Sequence, residues 1–173
     1  MACEINLGRL EPCKSVGGLK AIYIANWDKD FAPTLGTNDE ITGMGSVVDL
    51  YKFDLRGANS FDEAGETSSE NGTAFYTTTG TVQLKKQDAV TRKELKLLAY
   101  GRPRIIVEGY DGSFKLFGLE NGCDVAVSTA SGAGMGDFNG YNLTVTAKEV
   151  APAHFVDASV MADAAEVDIT EGS

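Results

Sequence analysis

Only one stretch of this chain spaces its apolar residues as a helix does. Between Asp88 and Tyr100, Leu95, Leu98 and Ala99 recur at i, i+3 and i+4 beside Leu97. Asp88 or Thr91 can cap it, Thr91-x-x-Glu94 fits a capping box, and Gly101 and Pro103 stop it. Elsewhere the readable pattern is that of strands, Thr and Val are frequent, and 20 of the 173 residues are Gly, about 12% against a usual value of about 7%. A chain with one helix must bury its core between strands. The expected fold class is therefore mainly β: an antiparallel β-sandwich or small barrel with one flanking α-helix at about 88–100.

The strands can be placed by alternation and turn chemistry. Gly18–Ala25 carries Leu19, Ile22, Tyr23 and Ile24; Ser46–Leu55 has apolar residues on both faces, so burial on both sides is expected. Thr73–Lys86 alternates Phe75, Thr77, Thr79 and Thr81 against Tyr76, Thr78, Val82 and Leu84, with a bend expected at Gly80. Asp111-Gly112 between Ile105–Tyr110 and Ser113–Leu119 marks a hairpin. Cys123–Thr129 and Tyr141–Val150 complete the set. Arg56–Asn71 holds four acids, two glycines and little apolar content besides Phe61, so 56–72 reads as a long polar loop. After Pro152 come five acids and no Lys or Arg, which sets an acidic C-terminal arm, 158–173, apart from a single β-rich domain, 1–157.

A net charge of −10 argues against binding nucleic acid through a basic surface, while suiting a passage to which DNA must not stick. No stretch is long and apolar enough to cross a membrane, and the Met1–Ile5 start lacks the marks of a secretion signal, so a cytosolic chain is expected. Cys3, Cys13 and Cys123 match no metal-pair spacing and read as free thiols.

No catalytic constellation is expected, and no metal or cofactor. The sole histidine, His154, excludes two-His metal sites. Gly132-Ala133-Gly134-Met135-Gly136 leads into a strand, not a helix, so it reads as a strand connection, not a phosphate loop. Asp137-x-Asn139-Gly140 is half a calcium loop and reads as a turn. Trp27 beside Asp28 and Asp30 is the one hint of a carbohydrate platform.

Charge is distributed unevenly. Lys85, Lys86, Arg92, Lys93, Lys96, Arg102 and Arg104 put seven of 15 basic residues within 20 positions, leaving 8 basic and 23 acidic residues elsewhere. Three readings stand: a solvated helix face, nucleic-acid contact, or a contact with the acidic segment or tail of an adjacent copy. The candidate subunit-interface residues are Phe61, Asp62, Glu63, Glu66 and Glu70 with those seven basic residues; Tyr51 and Phe53 join them.

The block Leu84–Pro103, then Gly118-Leu119-Glu120-Asn121-Gly122, then Met135-Gly136-Asp137-Phe138-Asn139-Gly140-Tyr141, resembles virion structural proteins of tailed phages infecting Bacteroidetes, the crAss-like phages among them. The likeness spans about residues 45–157. It implies a tail-tube-like module whose copies form a ring, a hexamer or dodecamer, in the tail or the portal-tail neck. Its partners would be further copies of itself and adjacent ring, portal or tail proteins, with DNA passing through the lumen without specific binding. Such a protein is not an enzyme; it assembles in the bacterial cytoplasm and resides in the virion. A capsid-associated or decoration protein is the alternative.

Overall fold

The computed structural model describes residues 3–172. In chain order the elements are β1 (Leu19–Ala25), β2 (Thr34–Leu35), β3 (Ile41–Gly43), β4 (Val48–Asp54), β5 (Ser60–Ser68), β6 (Thr73–Lys85), α1 (Ala89–Tyr100), β7 (Arg104–Gly109), β8 (Phe114–Phe117), β9 (Asp124–Ala130), β10 (Gly140–Glu149), β11 (His154–Val156), α2 (Ala158–Ala162) and β12 (Val167–Glu171). A four-stranded sheet runs β5-β6-β10-β9, and an eight-stranded sheet runs β12-β4-β1-β7-β8-β11-β3-β2. The fold is mainly β with few helices, as the composition requires.

Alternation builds the smaller sheet. Thr78, Gly80 and Val82 of β6 and Tyr141, Leu143, Val145 and Ala147 of β10 point inward, while Thr79, Thr81, Thr144 and Thr146 face water. Their inner face meets Ile22, Ile24, Ile105, Val107 and Phe117 of the larger sheet in one core. The intervening residues Ala21, Tyr23, Ala25, Ile106 and Leu116 face the other way, into a second core with Ile41, Leu50, Val156, Val160, Met161 and Val167. Strands β1 and β7 are thus buried on both faces, which explains their unbroken apolar runs. Because β3 and β12, near opposite ends of the strand order, share this second core, the larger sheet curls around it. Glu166 fastens the curl: its carboxylate accepts the Met44 N–H at 2.6 Å and its carbonyl the Val48 N–H at 3.1 Å.

Three expectations need correction. First, 56–72 is not a long loop: Ser60–Ser68 pairs with β6 from Ser60↔Thr81 to Ser68↔Thr73. An edge strand in water on most of its surface needs only the hydrogen bonds β6 offers and one half-buried anchor, Phe61, so its sequence carries almost no apolar alternation. Second, 158–172 folds on its own chain: α2 buries Val160 and Met161, and β12 lies along β4 from Val167↔Val48 to Glu171↔Lys52. Third, the β12–β4 and β11–β3 pairs are parallel, so the larger sheet is not purely antiparallel, and α2 is a second helix. Strand β6 is continuous as expected and carries Gly80 in register between Phe61 and Val145.

Candidate functional site

Helix α1 is started by Asp88, whose carboxylate accepts the Thr91 N–H at 2.7 Å and the Thr91 hydroxyl at 2.8 Å. Those bonds hold the Asp88 carboxyl below the usual carboxylate range. The Tyr141 hydroxyl donates to the Asp88 carbonyl at 3.0 Å, pinning the helix start to β10. Leu95 is buried and Leu98 half-buried, whereas Leu97 and Ala99 of the expected apolar stripe are exposed. The outward surface carries Arg92, Lys93 and Lys96 together with Val90, Leu97 and Tyr100, the last 82% exposed. The helix thus shows water three large apolar side chains among three cations.

The sheet order decides where the opposite charges lie. Helix α1 packs on β9, one edge of the smaller sheet, while β5, with Asp62, Glu63, Glu66 and Glu70 on it or in its following turn, forms the other edge. Three inter-strand steps, about 14 Å of sheet, separate the two edges. The ion pairs among the described residues join Lys20 to Glu108 and Lys52 to Asp54 and Glu171, and use neither edge. Of the four acids, Glu63 accepts the Ala153 N–H at 2.7 Å and Glu66 the Thr77 hydroxyl at 3.0 Å. Lys85 and Lys86 are exposed at the end of β6. Tyr51 is partly exposed and Phe53 half-buried.

Besides Glu63 and Glu66, the candidate interface residues Phe61, Arg102 and Arg104 are engaged inside the chain. Phe61 stacks on Phe117, ring centroids 5.3 Å apart, and lies over Gly80. Arg104 is 5% exposed, donates from Nε to the Leu119 carbonyl at 2.9 Å and from Nη1 to the Asp28 carbonyl at 2.8 Å, and is closed off from a neighbouring copy. Burial lowers its pKa from the ordinary value. The Arg102 and Arg104 guanidiniums each lie 4.1 Å from the centroid of Trp27, which makes that indole part of a cation-π cluster and not an open sugar platform.

The remaining chemical motifs are satisfied within the fold. Asp137 accepts the Ala133 and Gly134 N–H groups, which closes the Gly-rich connection between β9 and β10 and holds its own carboxyl low. The His154 Nδ1–H donates to the Asp39 carbonyl at 2.8 Å. Burial pushes the Cys123 thiol up to about 12, assisted by Glu149 and Asp124. Among the described residues no group of three or more His, Cys, Asp or Glu is placed to hold a metal ion, and no helix is long and apolar enough to cross a membrane. The sequence reading missed the exposed apolar residues of the N-terminal segment: Ile5, Leu7 and Leu10 are 90–95% exposed. The i, i+2 spacing of Ile5 and Leu7 was the available signal.

Comparison with known proteins gives no match to any family model, curated protein or solved structure.

Proposed function

We propose that this chain is a non-enzymatic structural protein of a tailed-phage virion that assembles into a ring of the tail or portal-tail neck and forms part of the DNA conduit. The observation that carries the reading is the separation of unpaired charge onto opposite edges of one sheet. A basic, partly apolar helix on one flank and an acidic strand on the other are complementary between copies but out of reach within one. Contact between two different surfaces is heterologous and closes into a ring when the rotation between copies closes. Complementary charge fixes partner and register more than it adds affinity, and the exposed Val90, Leu97 and Tyr100 supply area to bury. The likeness of residues 45–157 to virion structural proteins supports the same reading, and so does the −10 charge, which keeps a sliding DNA backbone off the protein.

The test is the mass of the purified chain across concentration by light scattering, with electron microscopy of the largest species. Closed rings or stacked tubes are expected. Reversing Arg92, Lys93 and Lys96 to Glu should dissociate them without changing the far-UV spectrum or melting temperature, since all three side chains are exposed. A strict monomer at every concentration and at low salt refutes self-assembly and favours the capsid-associated alternative.

A further inference from the structure

Asparagine is followed by glycine at Asn71-Gly72, Asn121-Gly122 and Asn139-Gly140, and the fold surrounds the three pairs differently. All three asparagines are exposed, so exposure of the side chain does not separate them. The glycines do. Gly122 is buried and its N–H donates to the Gly118 carbonyl at 3.1 Å, while the Asn121 side-chain amide donates to the Lys148 carbonyl at 2.9 Å. Gly140 is buried in β10, in register between Lys85 and Ala130. The Asn139 side-chain oxygen accepts from Gln87 at 2.8 Å and its backbone carbonyl accepts the Lys86 N–H at 2.7 Å. A Cβ placed on either glycine would run into backbone, the Arg102 carbonyl at Gly122 and the Leu84 carbonyl at Gly140, so neither peptide has room to swing.

Asn71-Gly72 has the opposite surroundings. It lies in the four-residue turn between Ser68 and Thr73, the last register pair of β5 and β6. Both residues are exposed, and nothing stands within 4 Å of where a Gly72 Cβ would be. Gly72 has φ +63°, a conformation that favours glycine at the turn. Among the described residues Asn71 is tethered by one hydrogen bond, from its backbone N–H to the Ser68 hydroxyl oxygen at 3.2 Å, and neither its side-chain amide nor the Gly72 N–H has a partner.

We propose that Asn71 is a site of spontaneous covalent modification, converting to aspartate and isoaspartate in the folded protein while the fold holds Asn121 and Asn139 intact. The Gly72 N–H gives its proton to hydroxide, and the nitrogen forms a bond to Asn71 Cγ. The Cγ–Nδ2 bond breaks as Nδ2 takes a proton from water and leaves as ammonia, which completes a five-membered succinimide. Water then adds to one of the two ring carbonyls. Opening at Cγ restores the chain and leaves aspartate; opening at the backbone carbonyl carbon leaves isoaspartate, with the chain running through Cγ. One water is consumed and one ammonia released, with no oxidation or reduction. A hydrogen bond from the glycine N–H holds the proton that the first step removes, and one to the side-chain amide holds the carbon that the step must reach. The two locked sites therefore react only after local opening. Giving up two hydrogen bonds slows them by on the order of 30-fold. The product places one more negative charge directly after Glu70, on the edge that carries Asp62, Glu63 and Glu66. The inference depends on the turn and not on what that edge meets, so it stands apart from the self-assembly reading.

The experiment ages the full-length protein in mildly alkaline buffer and follows it by tryptic digestion and mass spectrometry. Cleavage after Lys and Arg separates 57–85, which holds Asn71, from 116–148, which holds both Asn121 and Asn139. In the folded protein the first peptide should gain one dalton about 10-fold faster than the second or more. Fragment ions should place that gain at Asn71 and not at the buried Asn59, and an isoaspartate-specific methyltransferase should label the same peptide. In guanidinium chloride the three Asn-Gly pairs should react alike, because what separates them is the fold. Asn71→Gln, whose longer side chain would have to close a slower six-membered ring, should abolish the gain in 57–85 and leave 116–148 and the far-UV spectrum unchanged. Equal rates for the two peptides in the folded protein, a gain located at Asn59, or a 57–85 peptide that reacts only in denaturant would each overturn the proposal.

Discussion

Replacing Gly80 by Ala should change sign in its effect on stability according to whether Phe61 is present. Gly80 lies opposite Phe61 in the β5–β6 register, and a Cβ built on it would stand 2.6 Å from one Phe61 ring carbon and 2.8 Å from two others. Those distances force the ring off its stack with Phe117, an overpacking cost of about 1–3 kcal/mol. Against it stands a gain of about 0.5–1 kcal/mol from removing glycine's freedom in a strand interior. Gly80→Ala should therefore destabilise the wild type, by up to about 2.5 kcal/mol. Phe61→Ala alone should cost about 2 kcal/mol, less than the ~3–5 of a fully buried ring, because Phe61 is half-buried. In that background the clash is gone, and Gly80→Ala should stabilise by about 0.5–1 kcal/mol, or roughly 1–4 °C for a chain of this size. The assay is urea unfolding of the four proteins of the double-mutant cycle, followed by circular dichroism. The same sign in both backgrounds would show that Phe61 does not cover Gly80, and the pairing of residues 60–68 as a strand would fall with it.

Three further outcomes follow from the geometry. In the native protein a thiol reagent should titrate Cys3 and Cys13 rapidly and Cys123 only after denaturant is added, because burial holds the Cys123 thiol near 12; three fast thiols would contradict the packing beneath β9. Arg104→Ala should cost about 2–4 kcal/mol and shift Trp27 emission, since it removes two buried charge-assisted hydrogen bonds and a stacked cation, whereas exposed Arg102→Ala should cost about 0.5–1; equal losses would refute the asymmetry. Asp88→Ala should lower the melting temperature at neutral pH but not in strong acid. The folded-state pKa of Asp88 is depressed, so its stabilisation is complete above the unfolded value near 3.9 and is lost as pH falls through the lower folded value; a gap unchanged down to pH 2 would refute the cap.

The parts of the fold legible in the sequence are those whose residues answer to local rules. Helix α1 could be read because its inward side needs Leu95 and Leu98 at helical spacing, its start needs an oxygen at Asp88, and its end has Gly101 and Pro103. Strands β6 and β10 could be read because one face is buried and one wet, which writes a period of two directly into the residues. The Asp111-Gly112 turn is equally local, and Gly109 and Ser113 close it by a backbone hydrogen bond. The basic cluster was visible as composition, and for Arg92, Lys93 and Lys96 composition agreed with exposure.

What the tertiary structure decided concerns residues whose environment is supplied by distant partners. Strand β5 is polar because its ladder comes from β6 and its one anchor from Phe117, 56 positions away along the chain. The acidic C-terminal segment joins the fold because Val160, Met161 and Val167 complete a core begun by β1, β4 and β7, and its Glu166 meets Met44 at a sequence separation of 122. Arg104 and Arg92 belong to the same basic cluster, yet one is enclosed by Trp27, Phe31 and two carbonyls while the other faces water. Placing the acidic strand and the basic helix on opposite edges likewise depends on the order β5-β6-β10-β9. Local preference acts over a few residues, whereas sheet order and burial are fixed by how the whole chain shares its limited apolar surface. The pattern of α1, β6 and β10 was therefore readable in the sequence, but the pairing of β5 and β12 was not.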